Sequence, residues 1–224
     1  MFRKKNDLEK KDARKISSTP DKKVLVKLTG FFDGKIANTI ISEDDVTIED
    51  SFPIVTLICT KIEMVIRLHF NEAKIENESI LLTNKNSNIG IEAQKNQIAA
   101  AIELGFKRIE LVAYGSGKEL NDPNDGVFNG FITWAKFGYS MRKNQHIKFV
   151  NHMKKENRLE RCISEIIFDA EFEKYWTNSG YHWRGEFLLK EKSLNEKLFD
   201  IYYNKKFTSP HMIALFNKVR SLFN

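Results

Sequence analysis

The chain has 224 residues, of which 42% are hydrophobic and 29% are charged. This composition excludes a disordered chain and predicts one large domain, or a domain of roughly 150 residues with an appended segment. The formal net charge of +6 favours an anionic ligand or partner, although basic side chains spread over solvated faces explain it equally well. Charge alone therefore does not separate a nucleic acid from a phosphorylated cofactor.

Membrane and secretion signals are missing from the sequence. No apolar run approaches the ~20 residues that a membrane span needs. The first residues, MFRKKNDLEKKDARK, are basic but lack the apolar core of a signal peptide. Cys59 and Cys162 lie in apolar surroundings, which predicts buried thiols in a reducing compartment rather than a disulfide. We therefore expect a cytoplasmic protein.

Short strands dominate the first half of the sequence. Residues 1–22 show no apolar periodicity and are predicted to be a flexible lead-in. Four β-branched or aromatic segments separated by polar clusters then predict strands: 24–32, 52–60, 63–70 and 78–83. In the third of these, apolar and polar residues alternate, which predicts an antiparallel strand buried on one face.

The periodicity changes to that of a helix at Gly90. Apolar residues then recur at helical spacing as far as Gly105, which stands where a left-handed C-terminal cap is expected. A strand is predicted at 108–115, followed by a loop rich in Gly, Asn and Asp and by a short apolar element, FITWAKFGYS.

The last third of the chain is predicted to be mostly helical. Apolar spacing predicts one amphipathic helix within 154–175. Ser193 and Glu196 have the spacing of a capping box, and Ser209 with Pro210 opens a last predicted helix. The segment NSGYHWRGEFLL (178–189) has a different, aromatic and glycine-containing composition.

The sequence resembles the core of the GNAT N-acyltransferase superfamily. The stretch KNSNIG (85–90) stands where that family has its phosphate-binding turn, and LGFKRIEL (104–111) and WAKFGY (134–139) follow in the family's order. The wider stretch NGFITWAKFGY (129–139) is similar to that of a divergent GNAT-like subgroup. This resemblance implies an α+β fold with a mixed, mostly antiparallel sheet flanked by helices. The expected domains are 1–22 as lead-in, 23–140 as the acyl-CoA-binding core and 141–224 as a mostly helical extension packed on it.

The predicted cofactor is acetyl-CoA or another acyl-CoA. The first N–H groups of a helix have no partner inside the helix and carry the positive end of its dipole, so they suit a pyrophosphate. The donors would be the backbone amides from Ile89 to Glu92, and a loop that only caps the helix is the alternative. By resemblance the cofactor-binding residues are Lys85, Asn88, Ile89, Gly90, Ile91 and Trp134.

Two residues are candidates for proton transfer. By resemblance Glu78, on the strand before the turn, would be the base that accepts a proton from the amine. Trp134 occupies the family's tyrosine position, and an indole N–H is too weak an acid to protonate a thiolate. Tyr139 is therefore the candidate acid, with Tyr114 or solvent as alternatives. We also expect Tyr181, Trp183 and Arg184 to select the acceptor substrate.

Other chemistries have less support in the sequence. The five histidines lack the spacing of a helical metal pair, so no metal is predicted. The leading hypothesis is transfer of an acetyl group to an amine of an unknown acceptor, a small molecule or a protein. The alternative is a catalytically silent GNAT-like binding or assembly module of phage or mobile-element origin. Nucleic-acid binding through the basic ends and YHWRG is a third hypothesis.

Overall fold

The computed structural model describes residues 20–31, 43–51, 53–59, 64–80, 87–120 and 129–204. They fall into two compact units, one ending at Lys107 and the other beginning at Arg108. Each unit combines helices with antiparallel strands, which confirms the predicted α+β class. The predicted domain limits at residues 22 and 140 stay predictions. The predicted helix after Ser209 and the predicted lead-in up to residue 19 lie outside the described residues.

The first unit contains an antiparallel meander of four strands in sequence order. In β3 the side chains of Met64, Ile66 and Leu68 are buried and those between them are not, so the predicted alternation is confirmed. The segment predicted as strand 52–60 also forms a strand, whereas the first strand was not predicted. The strands are β1 (Val46–Ser51), β2 (Ile54–Cys59), β3 (Met64–His69) and β4 (Lys74–Ile80).

Residues 24–31, the described part of the strand predicted at 24–32, do not form a strand. Helix α1 (Lys22–Val26) and a 3₁₀ turn (Lys27–Thr29) occupy this segment instead. The Asp21 carboxylate caps α1 by accepting the Lys23 backbone N–H at 2.9 Å, and Gly30 ends the turn with a φ of 80°. A helix buries a cluster of consecutive apolar residues as well as a strand does, so the apolar run alone did not decide the element.

Helix α2 (Ser87–Glu103) confirms the predicted helix and begins three residues before Gly90. Its C-terminal end has the predicted form: Gly105 has a φ of 80°, and the Phe106 N–H donates to the Ala101 carbonyl at 2.9 Å. The Phe106 side chain is buried, with its ring centroid 5.7 Å from that of Phe70. The strand predicted after it is β5 (Arg108–Ala113), the first element of the second unit.

The second unit contains three antiparallel strands in the order β5, β7, β6. Strand β6 is short (Ser140–Met141), and β7 (Trp183–Leu188) lies between it and β5. Strand β7 comes from the aromatic segment 178–189. The predicted helical extension therefore supplies the central strand of this unit as well as helices.

Helices make up most of the second unit. A single helix across 154–175 was predicted, and this is wrong. The chain leaves the helix after Lys155, Asn157 adopts a φ of 55°, and the Glu165 carboxylate accepts the Arg161 N–H at 2.6 Å to start a 3₁₀ turn. The elements are α3 (Gly117–Leu120), α4 (Gly130–Lys136), α5 (Lys143–Lys155), the 3₁₀ turn Ile163–Ile167, α6 (Ala170–Ser179) and α7 (Leu194–Tyr203).

Two further predictions are confirmed, the first of them in part. The predicted capping box is present in its serine half: Ser193 caps α7, with its hydroxyl accepting the Glu196 N–H at 3.1 Å, whereas the Glu196 carboxylate accepts the Lys192 N–H. Cys59 and Cys162 are buried and are not joined in a disulfide. Within the described ranges, no helix combines the length and the apolar character needed to cross a membrane.

Candidate functional site

The predicted site residues divide between the two units. Glu78 and the start of α2 belong to the first unit, whereas Trp134, Tyr139 and the segment from Tyr181 to Arg184 belong to the second. Lys85 lies outside the described residues.

The start of α2 is the candidate phosphate site. Because α2 begins at Ser87, the N–H groups without an intrahelical acceptor are those of its first four residues, ending at Gly90. No acidic residue lies in this first turn, and Glu92 falls in the second. These backbone N–H donors therefore begin earlier in the chain than the sequence predicted, and Ile91 follows directly after the last of them. Gly90 and Ile91 are partly exposed.

Polar side chains hold α2 in place within its unit. Gln97 is buried, and its amide nitrogen donates to the Leu28 carbonyl at 2.9 Å and to the Asn77 side chain at 3.0 Å. The Asn77 amide returns a hydrogen bond to Gln97 at 2.9 Å. The preceding residue, Asn96, donates to the Gly30 carbonyl at 3.0 Å. These bonds tie the middle of α2 to β4 and to the turn at residues 27–30.

Glu78 occupies a β-bulge on β4. Val65 of β3 pairs with Ser79 and Ile66 pairs with Asn77, so Glu78 has no partner residue across the β3–β4 ladder. Its carboxylate contacts the Arg67 guanidinium at 2.8 Å and is 31% exposed. Bulges redirect a side chain and interrupt regular pairing, and they are frequent beside active sites. Glu78 is accessible for proton transfer if it shares or leaves its contact with Arg67.

In the second unit, Trp134 and Tyr139 belong to an aromatic cluster. The ring of Trp134 meets that of Phe137 edge-on, with centroids 5.6 Å apart, and that of Tyr139 at 5.3 Å. Tyr139 is fully buried and also contacts Phe187 at 5.3 Å, whereas Trp134 is partly exposed. The roles of Tyr139 as an acid and of Trp134 in cofactor binding stay predictions.

Trp183 is part of the core of the second unit. Its side chain is fully buried, and its indole N–H donates to the Phe131 carbonyl at 2.9 Å. Trp176 donates to the same carbonyl at 3.3 Å. Gly185 lies under the Trp183 ring, where an added Cβ would approach the ring to 2.5 Å. The role of Trp183 in acceptor binding stays a prediction. Because its ring is fully buried, that role requires a substrate that can reach a side chain covered by the protein.

Arg184 and Tyr181 have different surroundings from Trp183. Arg184 is exposed because successive side chains of a strand point to opposite faces. Tyr181 is partly buried against Trp176, at a centroid distance of 5.1 Å. Its hydroxyl is covered and has no hydrogen-bond partner in the described part of the chain. Burial, and secondarily the neighbouring Tyr175, raises the pKa of Tyr181.

A histidine and tyrosine pair beside Tyr181 was missed by the sequence analysis. The Tyr175 hydroxyl and His152 Nε2 are 3.1 Å apart, and the Arg158 guanidinium lies 4.4 Å from the centre of the Tyr175 ring. Tyr175 also lines an open groove of about 370 Å³ together with Glu171, Lys174, Asn178 and Ser179. His152 and Tyr175 lie on different helices, so no local motif could have indicated the pair.

Comparison with known proteins adds no assignment: no family model, curated protein or solved structure matches this chain. Among the residues that the structure describes, no group of three or more His, Cys, Asp or Glu side chains could hold a metal ion.

Proposed function

We propose that the chain is a GNAT-like N-acyltransferase that transfers an acyl group, such as acetyl, from acyl-CoA to an amine. The observation that carries this proposal is the segment from β4 to α2. A strand with a bulge at an acidic residue leads, in chain order, to a helix whose first turn has no carboxylate. This combination provides a base and an anion-binding helix start within one unit.

The cofactor fits the start of α2 on chemical grounds. Free amides at a helix N-terminus and the positive end of the dipole favour a pyrophosphate, and an acid-free first turn avoids repelling it. Asn88, Ile89 and Gly90 would supply these amides, and Lys85 a further cation. When bound, acyl-CoA supplies the activated acyl group as a thioester.

The chain's own groups would then manage protons and charge. Glu78 would accept a proton from the attacking amine, directly or through water, while a backbone N–H of β4 would stabilise the oxygen that becomes negative. The amine nitrogen forms the new C–N bond, the C–S bond breaks, and the departing sulfur takes up a proton. Solvent is the proposed source of that proton, because Tyr139, the donor predicted from the sequence, is fully buried within the second unit.

Calorimetric titration with CoA tests the phosphate site. Gly90→Asp places a carboxylate among the proposed donors, so we expect CoA affinity to fall about tenfold or more, or ~1.4 kcal/mol. Ala99→Asp is the matched control, because Ala99 is an exposed residue of the same helix, beyond its first turn. Equal CoA affinity in the two folded variants would remove the assignment.

A catalytically silent GNAT-like module is the second candidate. It is favoured by the complete burial of Tyr139, whose side chain has no exposed surface from which to donate a proton to a ligand. Trp134 at the family's tyrosine position points the same way. CoA binding without acyl transfer to any amine, in a screen of polyamines, amino sugars and lysine peptides, would support this candidate over the enzyme.

A further inference from the structure

Helix α5 presents a cationic face of unusual composition. Its sequence, KNQHIKFVNHMKK, contains no carboxylate. Seven of its residues are exposed, and at 100° per residue they all fall within an arc of about 140° on the helix surface. Four of the seven are lysines, and these four define the basic face: Lys143, Lys148, Lys154 and Lys155.

The lysines of the basic face differ from other cations of the same unit. Arg142 pairs with Glu110, Lys136 with Glu173 and Arg158 with Glu160. None of the four lysines of the basic face forms a salt bridge with any residue in the described ranges. No salt bridge within the described ranges offsets their charge. A polyanion that binds these lysines therefore breaks no ion pair there.

The opposite side of α5 determines which kind of polyanion fits. Phe149 and Met153 are buried in the unit, so the apolar side of the helix is already occupied. A helix that binds a lipid surface needs its apolar side free to enter the membrane. Only Ile147, 51% exposed, offers apolar surface on the cationic side. This arrangement disfavours a membrane and favours a partner that presents only charge and polar edges.

The remaining exposed residues of the cationic side are Asn144 and Asn151. Asparagine amides donate hydrogen bonds to phosphate oxygens and also pair with adenine edges. The 13 residues of α5 span about 20 Å, and a helix of 10 to 12 Å diameter matches the roughly 12 Å width of the major groove of B-DNA. In such a groove the lysines would meet the phosphate backbone at the rim. The asparagines between them would meet the base edges at the floor.

We infer that α5 binds duplex DNA through its basic face, by contacts to backbone phosphates. This surface is distinct from the acyl-CoA site proposed above, and it differs from the basic chain ends and the YHWRG segment considered in the sequence analysis. Four lysine–phosphate contacts give an affinity whose logarithm falls with the logarithm of salt concentration with a slope of about −3.6.

Fluorescence anisotropy with a labelled DNA duplex, at salt concentrations from about 50 to 200 mM, tests the inference. We expect the full chain to bind with that slope. Lys148→Gln with Lys155→Gln should weaken binding to all duplex sequences alike and reduce the slope by about 1.8. The matched control is Lys107→Gln with Lys190→Gln, two exposed lysines outside α5 whose loss changes the net charge equally.

Three results would overturn the inference: no binding of the duplex by the full chain, equal losses in the two double variants, or binding of phosphatidylserine vesicles in place of the duplex. Equal losses would mean that overall charge attracts the DNA without a defined surface. Circular dichroism of both double variants verifies that they are folded. If the control variant keeps its affinity for the duplex and the α5 variant loses affinity, the basic face of α5 is the DNA-binding surface.

Discussion

At the scale of single residues, the Phe131 carbonyl organises the core of the second unit. Two buried indoles, Trp176 and Trp183, donate to this one oxygen at 3.3 and 2.9 Å. A buried indole N–H needs an acceptor, because leaving it unpaired costs about 1 to 3 kcal/mol. The carbonyl therefore fixes the position of both rings.

Replacing Trp183 measures its structural contribution. Trp183→Phe removes the indole N–H and part of the buried ring, so we expect a loss of about 2 to 4 kcal/mol in the free energy of unfolding. His182→Gln changes the exposed neighbour and should alter stability by less than about 0.5 kcal/mol. Urea unfolding of both variants checks this. A Trp183→Phe protein as stable as the original would contradict the assignment of Trp183 to the core.

His146 gives a prediction about pH. Burial lowers the pKa of His146 in the folded protein, so the unfolded chain binds its proton more readily. This contribution to stability is fully present above the ordinary histidine pKa of about 6.5, and it is lost as the pH falls from there through the lowered folded-state pKa. We expect His146→Gln to reduce the loss of unfolding free energy on acidification from about pH 7 to pH 5. Urea unfolding at each pH gives this loss, and an unchanged slope in His146→Gln would refute the assignment.

At the scale of elements, the approach of Gly30 to α2 fixes the helix that carries the candidate phosphate site. A Cβ at Gly30 would lie 2.1 Å from the Ala93 carbonyl oxygen. Gly105 has the same φ of +80°, but no atom lies within 4 Å of the position that its Cβ would take. Substitutions at the two glycines therefore distinguish the cost of backbone strain from the cost of a steric clash.

Alanine substitutions at these two positions should differ in cost. Gly105→Ala carries only the strain of a left-handed residue, about 1 to 2 kcal/mol. Gly30→Ala carries the same strain and must also displace backbone of α2, so we expect at least about 2 kcal/mol more. Thermal unfolding compares the two. Equal costs would mean that the turn at residues 27–30 does not pack against α2 as described.

The strands and caps that the sequence predicted correctly are those with a local signal. The period-two alternation of β3 and the glycine cap of α2 arise from contacts within a few residues, so they could be read directly. The apolar run at residues 24–32 was misassigned because its packing partner, Ala93, lies far along the chain. The helix predicted within 154–175 failed because Glu165, through backbone contacts to Arg161 and Cys162, stabilises a 3₁₀ turn within the apolar pattern.

The candidate site was accessible to sequence reasoning only in part. Gly90 and Glu78 could be named from the resemblance and from the physics of a helix start, whereas the bulge at Glu78 depends on strand register. Trp183 was expected to face a substrate because Gly180 and Gly185 bracket a group of aromatic residues and a cation in a segment that can bend. The strand that they form turns Trp183 inward and Arg184 outward, and no composition rule decides which side is covered.

At the scale of the whole molecule, part of the positive charge behind the formal net charge of +6 is concentrated on one helix surface. Four lysines lie on the exposed face of α5, and the first turn of α2 provides partial positive charge from its amides. As proposed, these would be two different anion-binding devices: one would present side chains to a long polyanion, and the other would present backbone to a compact phosphate group. Variants of one should leave the other intact.

Thermal unfolding of the full chain with acetyl-CoA tests the central claim most directly, with acetylpantetheine, which lacks the pyrophosphate and the nucleotide, as the comparison ligand. Acetyl-CoA at 100 times its dissociation constant should stabilise the protein by about 2.7 kcal/mol, and acetylpantetheine at the same concentration by far less. The Lys148→Gln and Lys155→Gln double variant should keep this stabilisation, whereas Gly90→Asp should lose about half of it or more. No stabilisation by acetyl-CoA at millimolar concentration, or equal stabilisation by both ligands, would contradict an acyl-CoA site built on the start of α2.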